Sequence, residues 1–188
     1  SFYMNSANNY SSVNSGAQFG NSASYITSID NDNQKDFVIG APGQTLTAGA
    51  KGTVYLISTF GNTNIDHADA NTFTKAIDAD ANVITTALGR KAYAGFGSFV
   101  MGLPDLDGSD ANSLDAFFLV ANTNMHQSNL GVKPEFFIFS YKKTTKAAQI
   151  LYHEEGSLGS MLGGYGKTLN DINGDGIAEI ALVCPGCQ

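Results

Sequence analysis

Charge is scarce in this sequence, and that scarcity excludes several classes of protein. Charged residues make up 14% of the 188 residues, and Arg90 is the single arginine. Soluble domains average about 25%. So little charge excludes a coiled coil, a helical repeat protein and a highly charged disordered chain. Ten basic residues against 17 acidic ones also exclude a basic nucleic-acid-binding surface.

Long apolar runs and cysteines are scarce as well. No run approaches the ~20 apolar residues that a membrane-spanning helix needs, so no membrane span is expected. The two cysteines, Cys184 and Cys187, are too few for a disulfide scaffold. The chain begins at Ser1 without a recognisable signal peptide, so we expect either a removed leader or an excised segment.

Turn-forming residues are abundant instead. The chain has 13 Asp against 4 Glu, together with 17 Asn and 21 Gly. Asp, Asn and Gly favour turns and metal-binding loops, whereas Glu favours helices. Since 43% of the residues are hydrophobic, the chain can still bury a core. The composition therefore predicts an acidic, turn-rich β-protein.

A three-part pattern occurs three times along the chain. A large apolar residue is followed by Gly, nine residues later an acidic loop begins, and an apolar run follows the loop. The apolar-Gly pairs are Phe19-Gly20, Phe96-Gly97 and Leu162-Gly163, and the loops begin at Ser28, Asp105 and Asp171. Three agreeing offsets indicate an internal repeat.

Each repeat contains several predicted strands. The continuously apolar runs at 37–39, 116–120 and 180–183 are typical of strands buried on both faces. Further strands are expected at 53–57 and 136–139, mixed ones at 19–27 and 96–103, and weaker ones at 72–76 and 147–152. A short helical turn is an alternative only at 82–88 or 144–149. Four-strand groups of this kind suggest antiparallel sheets that stack like propeller blades.

The third loop has the spacing of a calcium site. Asp171, Asn173 and Asp175 alternate, Gly176 permits a sharp bend, and Glu179 closes the loop. The backbone carbonyl of Ile177 can add a further oxygen. Calcium accepts six to eight oxygen ligands in a flexible geometry, whereas magnesium prefers a rigid octahedron with retained water. The alternative is a solvated Asp/Asn/Gly turn before a strand.

The first two loops carry oxygen ligands at corresponding positions. The first has Ser28, Asp30, Asp32 and Asp36, with Asn33 in place of Gly176. Asn tolerates the left-handed backbone conformation that such a bend requires.

The second loop is less regular. The nine-residue offset selects Asp105, Asp107 and Ser109, with Asp115 closing the loop after a two-residue insertion. Asp110 is the alternative closing ligand. Because of the insertion, we expect this site to be the weakest or empty, and the third loop to be among the best occupied.

These residues resemble the FG-GAP repeat of integrin α-chain β-propellers. The resemblance rests on Phe19-Gly20, the Asp30/Asp32/Asp36 loop and Ile39-Gly40-Ala41-Pro42-Gly43, and it covers residues 19–188. The other copies depart from Gly-Ala-Pro at Leu119-Val120-Ala121-Asn122 and Val183-Cys184-Pro185-Gly186, and the third has Leu162 instead of Phe. The resemblance implies calcium loops between adjacent strands of each blade and a secreted or cell-surface location.

The repeat divides the chain into about two and a half blades. Residues 1–18 are expected to supply an outer strand, at 2–4, or a linker from a preceding blade. Residues 19–77 form the first blade, 78–153 the second, and 154–188 the first half of a third. Since an open arc exposes strand edges, the chain is expected to be a fragment or a protomer that completes its blades with neighbours.

No catalytic constellation is visible, so we expect a binding or structural protein and not an enzyme. Adhesion, protein interaction and surface or filament assembly are the expected roles. The partners are other protein segments or copies of the chain, joined through blade edges, and an unidentified protein or glycan ligand. The alternative is a non-catalytic propeller part of a larger extracellular hydrolase or lyase.

The remaining candidate residues have structural explanations. Cys184-Pro185-Gly186-Cys187 follows a predicted strand, so a disulfide, within this loop or to another segment, is favoured over a redox motif, which needs a helix N-terminus. His153-Glu154-Glu155 is expected to be a solvated turn. Asn9 begins the one N-glycosylation triplet. The aromatic residues at 136–141 are expected in the core and between blades.

Overall fold

In the part of the chain that the structure describes, the regular structure consists of ten β-strands and no helix. A computed structural model describes residues 18–29, 33–43, 52–57, 73–78, 95–107, 115–123, 133–145 and 147–187. The prediction of an all-β fold is therefore confirmed. The described residues include no helix that could span a membrane.

The strands coincide with runs rich in β-branched and aromatic residues, and turn-forming residues separate these runs. They are β1 (Ser22–Ile26), β2 (Asp36–Ala41), β3 (Thr53–Ile57), β4 (Phe73–Asp78), β5 (Phe99–Leu103), β6 (Asp115–Asn122), β7 (Glu135–Lys142), β8 (Ala147–Glu155), β9 (Gly166–Thr168) and β10 (Ile180–Leu182). The helical turn considered at 144–149 is wrong, because Thr144 and Thr145 form a turn and β8 follows. The alternative at 82–88 and the strand expected at 2–4 lie outside the described residues.

The described strands form three antiparallel sheets that follow one another along the chain. Strands β1–β4 form a first four-stranded sheet, in sequence order, and β5–β8 form a second sheet in the same way. Strands β9 and β10 form a two-stranded third sheet. Within each sheet every strand pairs antiparallel with its sequence neighbour.

An apolar core lies between the first and second sheets. Val38, Val54 and Leu56 of the first sheet pack against Phe118, Val120, Phe137, Phe139 and Tyr141 of the second. The rings of Phe118 and Phe139 stack with their centroids 5.3 Å apart. Since burial of one such side chain contributes about 1.5–3 kcal/mol, this core holds the two sheets face to face.

The opposite face of the second sheet carries a second core. Leu103, Phe117, Leu119, Ala121 and Phe136 are buried there, and they pack against residues that include Leu162, Ile180 and Leu182 of the third repeat. Both faces of the second sheet are therefore covered, which explains why β6 is apolar without alternation. The prediction that the aromatic residues at 136–141 lie in the core is confirmed.

The first strands of consecutive repeats lie side by side. Ser22 Oγ accepts a hydrogen bond from the backbone N–H of Val100 at 3.0 Å, and Ser24 Oγ accepts one from Gly102 at 2.9 Å. Asn21 Nδ2 donates to the Ser98 carbonyl at 2.8 Å. Strand β5 pairs with β6 along one edge, so the side chains of β1 satisfy backbone donors along its other edge.

Replacement of Ser24 by Ala should therefore destabilise the junction between the two sheets. The half-buried Gly102 N–H would lose its acceptor, which costs about 1–3 kcal/mol. We expect the melting temperature to fall by roughly 2–4 °C per kcal/mol for a chain of this size. Ser157→Ala makes the same chemical change at an exposed position after β8, so this control should melt like the wild type. Equal melting temperatures for both variants would contradict this role of Ser24.

Candidate functional site

The glycine of each apolar-Gly pair has the same conformation in all three repeats. The φ angles of Gly20, Gly97 and Gly163 are 83°, 86° and 76°, which lie in the left-handed region. Their N–H groups donate to the carbonyls of Gly40, Ala121 and Val183, at 3.0, 3.2 and 3.2 Å. The repeat found in the sequence is therefore also a repeat of local structure.

These hydrogen bonds also align the residues that replace Gly-Ala-Pro. Ala121, and not Leu119, takes the position of Gly40 in the second repeat, and Val183 takes it in the third. A Cβ atom on Gly40 would lie 1.9 Å from the Gly97 carbonyl oxygen, whereas a Cβ on Gly163 would lie 2.9 Å from Ala121 Cβ. Position 40 of the first repeat therefore requires glycine, because it touches Gly97 of the second repeat closely. The corresponding position 121 of the second repeat, which contacts Gly163 of the third, accepts alanine.

The third loop folds around the carboxylate of Asp171. Asp171 Oδ1 accepts hydrogen bonds from the N–H groups of Gly174 at 2.6 Å and Asp175 at 3.2 Å, and Oδ2 accepts one from Gly176 at 2.8 Å. Gly174 and Gly176 have φ angles of 80° and 87°, so the chain bends sharply at both. The loop is exposed between β9 and β10.

Three carboxylates of this loop come together. Ligand oxygens of Asp171, Asp175 and Glu179 all lie within 4.8 Å of one another, and they form the one such group among the described residues. Glu179 Oε2 also accepts a hydrogen bond from the Ile172 N–H at 2.6 Å, which holds the end of the loop against its beginning. The donor set is all oxygen, and it suits a hard cation such as calcium.

Asn173 is part of the same loop. Its Oδ1 accepts a hydrogen bond from the Asp175 N–H at 2.8 Å, and its Nδ2 donates to Asp175 Oδ2 at 3.1 Å. Ile177 follows the bend and donates its N–H to Asp175 Oδ1 at 2.8 Å. All five predicted residues of the third site thus belong to one compact loop.

The first loop closes in the same way as the third. The Ile29 N–H donates to Asp36 Oδ2 at 2.5 Å, as Ile172 does to Glu179. Asp36 is fully buried, so this hydrogen bond offsets part of the cost of removing its charge from water. Asn33 has a φ angle of 62°, which confirms the prediction that it replaces the bend glycine. Ser28 is described, whereas Asp30 and Asp32 lie outside the described residues.

The second loop has a different register at its end. Asp36 pairs with Ile26 in the first sheet, and the corresponding residue opposite Leu103 in the second sheet is Phe117. Asp115 lies two residues before Phe117, and its Oδ2 accepts hydrogen bonds from Ser140 Oγ at 2.8 Å and Lys142 Nζ at 3.2 Å. Sequence spacing did not find this ion pair, because Lys142 is 27 residues away.

Two other acidic residues of the second loop, Asp105 and Asp107, are described. Burial, together with the neighbouring carboxyl groups of Asp107 and Asp115, raises the pKa of Asp105 above its usual value. The Asp107 N–H donates to Asp105 Oδ1 at 3.0 Å. Ser109 and Asp110 lie outside the described residues, so the choice between Asp110 and Asp115 as closing ligand stays a prediction.

The cysteine pair and residues 153–155 lie outside the acidic loops. Cys184 and Cys187 form a disulfide with each other, which is the pairing within the loop that was one of the two expected.

The solvated turn expected at 153–155 is wrong, because these residues belong to β8. His153 Nε2 lies 3.2 Å from Oε2 of the buried Glu135, and its ring stacks on Phe137. No local pattern points to this pair, since the two residues meet only through strand pairing.

Comparisons with known proteins add no relative. No model of a known protein family matches the chain, and no curated protein matches it in sequence.

Proposed function

We propose that this chain is a calcium-stabilised β-propeller module of a secreted or cell-surface protein, with a role in adhesion, protein interaction or surface assembly. The observation that carries the proposal is the carboxylate group of Asp171, Asp175 and Glu179. Like charges about 4 Å apart repel by roughly 1 kcal/mol per pair even in bulk water, and by more near a protein surface. A bound calcium ion would reverse that repulsion and use the oxygen ligands that the loop presents.

Three features of the fold support the propeller part of the proposal. The two complete sheets are four-stranded meanders, they stack face to face, and their first strands lie side by side. Propeller blades have this strand order and this stacking. The third sheet repeats the same first two strands and packs on the opposite face of the second sheet. A disulfide at Cys184–Cys187 is compatible with an oxidising, extracytoplasmic environment.

An assembly role through sheet edges is supported by the third sheet. Tyr165, Ile172 and Val183 are large apolar residues beside the strands of this sheet, and they are 62%, 70% and 43% exposed. An exposed strand edge beside apolar side chains favours pairing with another strand. We propose that another protein segment, or a second copy of the chain, adds to this edge.

The calcium proposal is tested by titrating the purified, chelator-treated protein with calcium in a calorimeter. Asp175→Asn keeps the size of the side chain but removes one charged ligand, so affinity at the third loop should fall by about tenfold or more, which corresponds to about 1.4 kcal/mol. Glu154→Gln is the control, because Glu154 is exposed on β8 and away from the acidic loops. Absence of calcium binding to the wild type, or equal titrations for both variants, would refute the proposal.

A further inference from the structure

The second acidic loop has Phe117 at the position of the closing carboxylate that the first and third loops share. In the first and third loops a carboxylate accepts the N–H of the loop's second residue: Asp36 from Ile29, and Glu179 from Ile172. The strand register places Phe117 at that point in the second repeat. A phenyl ring offers no oxygen ligand, so the second loop cannot be closed by a carboxylate at this position.

A lysine lies beside the acidic group of the second loop. Asp115 is directly opposite Lys142 in the pairing of β6 with β7, and Lys142 Nζ lies 3.2 Å from Asp115 Oδ2. Ser140 Oγ donates to the same oxygen at 2.8 Å. The negative charges of Asp107 and Asp115 contribute, after burial, to the raised pKa of Asp105. The ammonium group thus lies where it compensates the negative charge of Asp115.

We infer that Lys142 is a built-in counter-ion which replaces calcium in the second loop. The inference rests on the proposed function, because it assigns calcium to the first and third loops and none to the second. The side chain of Asp115 is 15% exposed, so its ion pair with Lys142 is more sheltered from water than a fully exposed ion pair. The second sheet, which carries both cores, is then independent of calcium supply.

The test compares Lys142→Met with Lys133→Met in the full chain. Both lysines are about half exposed, at 47% and 48%, and each pairs with one carboxylate, Asp115 or Glu155. Methionine keeps most of the apolar stem and removes the charge. The two measurements are the number of calcium ions bound at saturation, by elemental analysis after gel filtration in calcium, and the melting temperature in excess chelator.

We expect about two calcium ions per wild-type chain and per Lys133→Met chain, and about three for Lys142→Met. In chelator, Lys142→Met should melt roughly 2–4 °C below Lys133→Met, as expected for a loss of about 1 kcal/mol in a chain of this size. Three ions in the wild type would overturn the inference, and so would equal stoichiometry and equal melting temperatures for the two variants. No calcium in any of the proteins would refute the proposed function, and the melting temperatures in chelator would still decide whether Lys142 compensates the acidic group.

Discussion

Removal of calcium with an excess of chelator is expected to lower the melting temperature of this protein by roughly 10–20 °C. An ion that binds only the folded state stabilises it by about 2.7 kcal/mol per site when its free concentration is a hundredfold above Kd. Two occupied loops would therefore contribute about 5 kcal/mol, and each kcal/mol shifts the melting temperature by about 2–4 °C in a chain of this size. Calcium added back should restore the original transition.

Variants of single ligands separate this effect from a general effect of the chelator. Asp175→Ala and Asp32→Ala should each reduce the difference between the melting temperatures in calcium and in chelator by about half. Glu154→Gln, outside the loops, should keep the full difference. A wild-type melting curve that does not change in excess chelator would exclude calcium as a structural ion in this protein.

Gly102→Ala is expected to destabilise the protein by about 3 kcal/mol or more, which is at or above the upper end of the usual cost of overpacking. A Cβ atom on Gly102 would lie 1.7 Å from the carbonyl oxygen of Tyr25, on the neighbouring first strand. The clash is with backbone, so no rotamer change can relieve it, and β1 and β5 must move apart. That movement would break the hydrogen bond from Gly102 to Ser24. Thermal or urea unfolding measures the loss.

Gly159→Ala provides the matched control for the added methyl group. Gly159 has a φ angle of 79°, but a Cβ there would meet no atom within 4 Å. Only the conformational strain remains, which costs about 1–2 kcal/mol. If Gly102→Ala were as stable as Gly159→Ala, the close contact of β1 with β5 would not exist in solution. Soluble yield serves as the second readout, and the Gly102 variant should give the lower one.

Local patterns predicted most of the strands and the form of the third loop. The apolar runs at 37–39 and 116–120 lie entirely within strands. The run at 180–183 forms a strand except for its last residue, Val183. Asp171, Asn173 and Asp175 alternate within one short turn, so their positions depend on nearby backbone angles and little else. The same holds for Asn33, whose left-handed conformation follows from its place in the repeat. When interacting residues are only a few positions apart in the chain, their spacing in the sequence largely fixes the distance between them.

Strand pairing decided what spacing could not. The register of β5 against β6 places Phe117 at the position that closes the second loop. Asp115 lies two residues earlier and is opposite Lys142 of the next strand, β7. Glu135 and His153 meet in the same way across β7 and β8. The sequence by itself determined the all-β class, the repeat and the carboxylates that come together in the third loop, because these depend on composition and local turns. Only the tertiary structure decided which repeats touch through glycine and which carboxylate is paired with a lysine, because both depend on how separately formed strands align.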